Sequence, residues 1–270
     1  MKEKVSLTIE RKVLKEVEEL VDGLRIRNTS QAVEYLLKKA LGEEKTVVIL
    51  CGGPENKYKI NGKYRFVTKL DGFTVIEETV KKLKRYGFKH IYVIARENVL
   101  MEIFRILEDG RRYGVKVEYV KETLSKGTMD SLRSLKGRID TNFLVVFGDV
   151  VFDIDLNKLW EAHIKNGGTA TLTLESYDKP GEKGVVRLEG NQVVEFVQKP
   201  KNFKSHIVFV PIFFVGPEIF EYSGNSLEEN VFPQLASEGL LFGYITSGWN
   251  KHVHTKKDVE EIKKLLKLKK

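Results

Sequence analysis

Between residues 4 and 9 the chain reads Lys-Val-Ser-Leu-Thr-Ile, so that Val5, Leu7 and Ile9 alternate with Lys4, Ser6 and Thr8. A period of two predicts a half-buried strand. The period then becomes helical: Val13, Leu14, Val17, Leu20 and Val21 share one face, and Gly23 stops the run. A second helix is predicted from Asn28-Thr29-Ser30-Gln31, where Asn28 caps and Gln31 completes a capping box. Its buried face is Ala32, Val33, Leu36, Leu37 and Ala40, and Gly42 ends it. From residue 46 the pattern alternates. Apolar strands are predicted at 46–50, 91–95, 115–120 and 143–147, with helices at 75–86, 99–107 and 127–135 between them. That order predicts an α/β domain with a Rossmann-like, mostly parallel sheet and helices on both faces. The chain therefore divides into a small module, 1–43, and a larger domain, 46–270. Ligands bind such sheets beyond the carboxyl ends of the strands, where Cys51-Gly52-Gly53 and Gly148-Asp149 fall.

Composition narrows the class. The 270 residues are 41 % hydrophobic and 31 % charged, as in a soluble globular protein. The longest apolar runs fall short of the roughly 18–20 residues of a membrane span, and Met1 to Val5 lacks the apolar stretch of a signal peptide. A single cysteine, Cys51, excludes an internal disulfide framework and points to a reducing cytoplasm. Net charge is +8, but residues 1–44 are balanced, and half the excess lies in the Lys-rich segment 256–270. There Val259, Ile262, Leu265 and Leu266 keep helical spacing, which makes the lysines the solvated face of a packed helix.

One strand and two short helices bury too little surface to fold alone. A homodimer in which two strands pair over four helices solves this, and in that order of elements the module resembles the ribbon-helix-helix family of DNA-binding proteins. The resemblance implies that Lys4, Ser6 and Thr8 meet base edges of double-stranded DNA in the major groove, and that Asn28, Thr29 and Ser30 hold a phosphate at a helix N-terminus. Lys2, Arg25 and Arg27 stand nearby. A ribbon that only dimerises is the alternative, and the balanced charge of the segment argues against strong non-specific DNA affinity.

The larger domain carries Gly52-Gly53 after a strand, Gly127-Thr128, Gly148-Asp149 after a strand, Gln198-Lys199-Pro200, Leu227 to Pro233 and Gly248-Trp249. In order and spacing it resembles the sugar-phosphate nucleotidyltransferases, of the glucose-1-phosphate thymidylyltransferase type, which join a nucleoside triphosphate to a sugar 1-phosphate. The resemblance implies nucleotide contacts at Gly52, Gly53, Gly127 and Thr128. It implies a metal carboxylate at Asp149 for Mg2+, catalytic cations at Arg65 and Lys199, and an acidic position at Glu228. Several positions depart from the family pattern. The loop after Gly53 reads Pro54-Glu55-Asn56-Lys57, the family Lys-Pro falls on Arg65-Phe66, and the Glu before Lys-Pro is Gln198. The sugar-binding strand reads Phe209-Val210-Pro211, and the second metal carboxylate falls on His252. Arg is not equivalent to Lys at a tight phosphate site, and neutral His is a poor ligand for hard Mg2+. His252 and His254, two apart, share one strand face and could form a metal pair of the zinc or nickel type, but no third ligand is evident in sequence, so an ordinary surface or hydrogen-bonded pair is expected. Cys51 and Phe209 are expected in the core.

The concurrent departures predict a dimeric DNA-binding transcriptional regulator whose degenerate transferase domain senses a nucleotide, sugar phosphate or sugar nucleotide. The alternative is a working sugar-1-phosphate nucleotidyltransferase, with the N-terminal module serving dimerisation or DNA tethering.

Overall fold

The computed structural model describes residues 4–21, 26–41, 45–53, 58–60, 62–123 and 126–267, in two compact units, Met1–Glu44 and Lys45–Lys270. Lys2, Gly23, Arg25, Gly42 and the loop 54–57 lie outside the described residues.

The first unit contains helices α1 (Arg11–Glu18) and α2 (Thr29–Leu41). Asn28 caps α2: its Oδ1 accepts the Gln31 N–H at 3.0 Å. The Gln31 side chain reaches back to the N–H of Arg27 at 2.7 Å, one residue earlier than a capping box requires. The expected strand is not formed. Residues 4–10 lie outside any ladder, and Val5 and Leu7 are 78 % and 60 % exposed. The alternation is present, but a strand needs a neighbour for its backbone N–H and C=O groups, and one chain supplies none here. Two short helices are what this unit shows in place of a ribbon-helix-helix.

The second unit begins with β1 (Thr46–Leu50). Two small hairpins follow, β2 (Lys59–Ile60) with β3 (Lys63–Tyr64) and β4 (Lys69–Leu70) with β5 (Phe73–Thr74). Then come α3 (Val75–Arg85), β6 (His90–Ala95), α4 (Glu97–Leu107), β7 (Lys116–Lys121), α5 (Thr128–Arg133) and β8 (Phe143–Phe147). The remainder is β9 (Val150–Asp153), α6 (Leu156–Asn166), β10 (Ala170–Ser176), β11 (Gly184–Glu189), β12 (Gln192–Gln198), β13 (Ile207–Val215), α7 (Phe232–Ser237), β14 (Leu241–Ile245), β15 (Trp249–His252) and α8 (Lys256–Lys267).

Nine strands form one sheet in the order β10-β14-β12-β11-β13-β8-β1-β6-β7. Its N-terminal half is parallel, with β1 between β6 and β8 and β7 outside β6. The other half corrects the expectation of a mostly parallel sheet. There β13 runs antiparallel to β8, β10 and β11, and β12 antiparallel to β11 and β14, leaving only β10–β14 parallel. Chain connection explains the change. β11 and β12 are joined through Gly190 and Asn191 alone, and so short a link joins only antiparallel neighbours.

Residues of β1 alternate between two cores. Val47, Ile49 and Cys51 face Ile76, Val80 and Leu83 of α3 and Val99 and Ile103 of α4. Val48 and Leu50 share the opposite cluster with Met129 and Leu132 of α5 and Phe232 and Leu235 of α7. A strand covered on both faces must be apolar throughout, which is why 46–50 reads as a continuous run. A third cluster seats Val259 and Ile262 of α8 on Leu70, Val75, Val151 and Val253, so the Lys-rich C-terminal helix is docked by its apolar face. Among the described residues, no helix is long and apolar enough to cross a membrane.

Candidate active site

Three segments meet beyond the carboxyl ends of the parallel strands. Gly52 packs so closely on the Glu122 carboxylate that a Cβ there would collide with it. Gly53, at φ 110, donates its N–H to Glu122 Oε2 at 2.8 Å. The Ser131 hydroxyl of α5 donates to the other oxygen of Glu122, and Arg96 Nε stands 4.0 Å away. Glu122 is thus a buried carboxylate, its side chain 2 % exposed, that fixes the glycine pair. The sequence reading missed it. Its signal was position: Glu122 directly follows β7, as Cys51 follows β1, and both backbone N–H groups bond to carbonyls at the end of β6.

Gly127 sits against the Asn225 backbone, and Thr128 opens α5. The Thr128 hydroxyl donates to Glu228 Oε2 at 2.6 Å and accepts the Leu227 N–H at 2.9 Å. Both groups therefore tie α5 to the π turn Leu227–Val231. Glu228, 7 % exposed, also accepts from Ser226 Oγ at 3.0 Å, so its carboxylate is engaged within the fold.

Asp149 lies between β8 and β9 with its side chain 9 % exposed. Arg65 Nη1 is 3.4 Å from its Oδ2, His254 Nε2 3.6 Å from the same oxygen, and His252 Nδ1 3.8 Å from Oδ1. The β9–β15 ribbon produces this meeting. His252 pairs with Val150, and the Val253 N–H donates to the Asp149 carbonyl at 2.8 Å. Val253 enters the small core, which sends His252 and His254 to the opposite side, toward Asp149. Burial opposes ionisation of Asp149, yet the imidazoles of His252 and His254 outweigh it and hold its pKa well below the usual carboxylate range. Burial, reinforced by the Asp149 charge, pushes the Tyr58 phenol up to about 12. The buried Cys51 thiol is raised by burial and then by Asp149 and Glu122, which leaves it a packing group and not a nucleophile.

Mg2+ takes near-octahedral oxygen ligands. Asp149 offers a carboxylate, but its neighbours are two imidazoles and a guanidinium, and this donor set does not fit the expected ion.

Lys199 follows β12 at φ 46, with an exposed side chain that has no hydrogen-bond or ion-pair partner among the described residues. Its N–H bonds the Lys183 carbonyl at 2.9 Å. Lys183 in turn pairs with Glu175 at 2.6 Å, and Glu175 also accepts from Asn250 at 2.6 Å, on the same strand face as His252. The Gln198 Oε1 nearby is buried without a partner. Phe209, by contrast, is a core residue: its ring lies 6.0 Å from Phe196 and 5.5 Å from both Phe213 and Phe232. In the first unit, Lys4, Ser6, Asn28 and Ser30 are exposed, Thr8 is exposed and Thr29 is half-buried.

Comparison with known proteins bears on this arrangement. A profile of the nucleotidyl transferase family matches residues 61–259. The mannose-1-phosphate guanyltransferase of Yarrowia lipolytica is 29 % identical over 194 residues, 68 % of this chain and 53 % of that protein. That of Aspergillus oryzae is 28 % identical over 172 residues, covering 60 % and 47 %. The chain spans about half the length of these relatives. A solved structure from Bacillus anthracis, described as a glucose-1-phosphate thymidylyltransferase in complex with a sucrose, superposes with a TM-score of 0.74 at 21 % identity, covering 82 % of this chain and 94 % of that one. At that identity the likeness is one of fold. These matches overturn the expected DNA-binding regulator with a sensor domain: the similar proteins are named as sugar-1-phosphate nucleotidyltransferases. Of the positions that depart from the expected pattern, Arg65 and His252 both lie beside Asp149, and Gln198 directly precedes Lys199. With its sheet, its glycine pair and its strand-end carboxylate accounted for, and with most of the second unit matched, the chain belongs to the nucleotidyl transferase family.

Proposed function

We propose that this protein is a working sugar-1-phosphate nucleotidyltransferase. A phosphate oxygen of the sugar 1-phosphate attacks the α-phosphorus of a nucleoside triphosphate. A new P–O bond forms as the α–β bridging bond breaks, and pyrophosphate leaves. The observation that carries this reading is the convergence of Gly52-Gly53, Glu122, Arg65 and Asp149 at the ends of the parallel strands. Gly52 and Gly53 let the backbone approach the nucleotide, and Arg65 supplies charge for the triphosphate. Glu122 holds that glycine pair in place through the Gly53 N–H, and the guanylyl transfer named for the relatives makes GTP the first triphosphate to test. The exposed Lys199, with Lys183 and Asn250 positioned by the Glu175 carboxylate, supplies donors for the sugar phosphate.

Pyrophosphate release from GTP and mannose 1-phosphate, ranked against other triphosphate and sugar-phosphate pairs, tests the reading. Release is expected with the parent and not with Asp149→Ala. Absence of release with every pair, from protein that is folded, would sink it.

The first unit supports a second, separable inference, that it joins two copies of the chain. Val5 and Leu7 alternate with polar residues and stand exposed in one chain, as a strand awaiting its twin would. Sedimentation should show a dimer that Leu7→Asp converts to a monomer. A parent that sediments as a monomer would refute it.

A further inference from the structure

The disagreement between the Asp149 site and Mg2+ points to a different cation. We propose that Asp149, His252 and His254 bind one borderline divalent metal of the zinc or cobalt class, with a fourth position open to a phosphate oxygen. Two imidazole nitrogens and one carboxylate oxygen are the donors such ions take, and three protein ligands with one open position is a recurrent arrangement for them. The three side chains offer one atom each, all within 4.8 Å of one another. Tetrahedral ligands at metal bonds of about 2.0–2.1 Å lie about 3.3–3.4 Å apart. The 3.8 Å between His252 Nδ1 and Asp149 Oδ1 therefore needs only a small contraction, while His254 Nε2, 3.6 Å from Oδ2, has to turn toward Oδ1.

Two further observations favour a ligand here over an ordinary surface pair. His252 Nδ1 is buried and makes no hydrogen bond, since 3.8 Å to Asp149 is beyond hydrogen-bond reach. A buried ring nitrogen without a partner is costly, and metal coordination satisfies it. The surroundings are also fixed as outer partners of a metal commonly are. Arg65 holds Asp149 Oδ2, leaving Oδ1 to ligate. Asp258 accepts the backbone N–H groups of His254 and Thr255 at 2.9 and 2.7 Å, and the Val253 N–H is locked to the Asp149 carbonyl. His254, its side chain 51 % exposed, has room to close on the ion.

The test uses the full chain stripped with chelator and titrated with Co2+, read by visible d–d absorption and by metal content after dialysis, with no nucleotide or sugar phosphate present. Binding is thus judged separately from the transfer reaction. One equivalent of Co2+ should bind, be displaced by Zn2+, and persist in a large excess of Mg2+. His254→Gln, at a half-exposed position that leaves the fold alone, should weaken Co2+ binding by at least about 100-fold, more than loss of an outer partner does. His252→Asp should move the preference toward Mg2+ and Mn2+. Equal affinity for Co2+ and Mg2+ in the parent, or Co2+ binding unchanged in both variants, would show that Asp149 is neutralised by Arg65 and the two histidines alone.

Discussion

The two halves of the large sheet hold their polar groups in different ways. In the parallel half, the site is made of backbone: Gly52 and Gly53 lie against Glu122, whose two oxygens are taken by the Gly53 N–H and the Ser131 hydroxyl. In the antiparallel half and the β9–β15 ribbon, the site is made of side chains, with His252 and His254 beside Asp149 and Lys183 beside Glu175. A backbone cradle tolerates little change, because a Cβ at Gly52 collides whatever side chain carries it. A side-chain cluster can be re-equipped by single substitutions on an unchanged ribbon.

That contrast can be broken at several points. The largest effect is expected in the antiparallel half from Phe209→Ala, which empties the centre of the ring cluster of Phe196, Phe213 and Phe232. Urea unfolding should show a loss of about 3–5 kcal/mol, with KM for the sugar phosphate unchanged. A raised KM at unaltered stability would mean that the ring walls the pocket. Next comes Glu122→Gln in the parallel half. An amide presents one acceptor where Gly53 and Ser131 require two. Nucleotide affinity by calorimetry should fall by about 1.5–3 kcal/mol, roughly 10- to 100-fold. An unchanged affinity would show that the glycine pair holds its shape alone.

A third, pH-dependent effect separates the halves by burial. Burial depresses the pKa of His163, on α6, to about 4, where its Nδ1 lies 3.1 Å from Thr171 Oγ1. The fold keeps it neutral, whereas the unfolded chain takes up a proton below about 6.5. Stability is therefore lost as pH falls from about 6.5 toward 4, by up to about 1.4 kcal/mol per pH unit from this group. Parent and His163→Gln should converge in that window when their unfolding free energies are plotted against pH. Parallel curves would refute the assignment. The smallest effect is expected at the capping box of α3, where Thr74 Oγ1 accepts the Glu77 N–H and the Glu77 carboxylate returns to the Thr74 N–H at 2.8 Å. Thr74→Ala should cost about 1 kcal/mol, read as a shift in the urea midpoint.

The parallel half was legible because β1, β6 and β8 are buried on both faces and each helix on one, so periodicity alone marks β1, β6, β7 and β8 and α3 to α5 between them. The antiparallel half was not, because β10 to β13 follow one another without an intervening α-helix, and their order depends on which edges remain open. The N-terminal strand shows the opposite failure: a sound local pattern at 4–9 forms no strand in a single chain. Gly52, Gly53 and Asp149 are site candidates in the sequence because they follow strands. Glu122 follows one too, but an acidic residue beside Lys121 has the local pattern of a solvated turn.

The sequence by itself determined the alternation of elements, the strand-end glycines and the pairing of His252 with His254 on one face. These are local properties, set by side-chain period and by the absence of a Cβ. Only the tertiary structure decided that the third member of that group is Asp149 and that Glu122 closes the glycine cradle. Both depend on strand pairing, β9 with β15 and β6 with β7, which brings distant segments within ångströms of each other. No local pattern along a chain encodes a distance between residues that only a shared ladder sets.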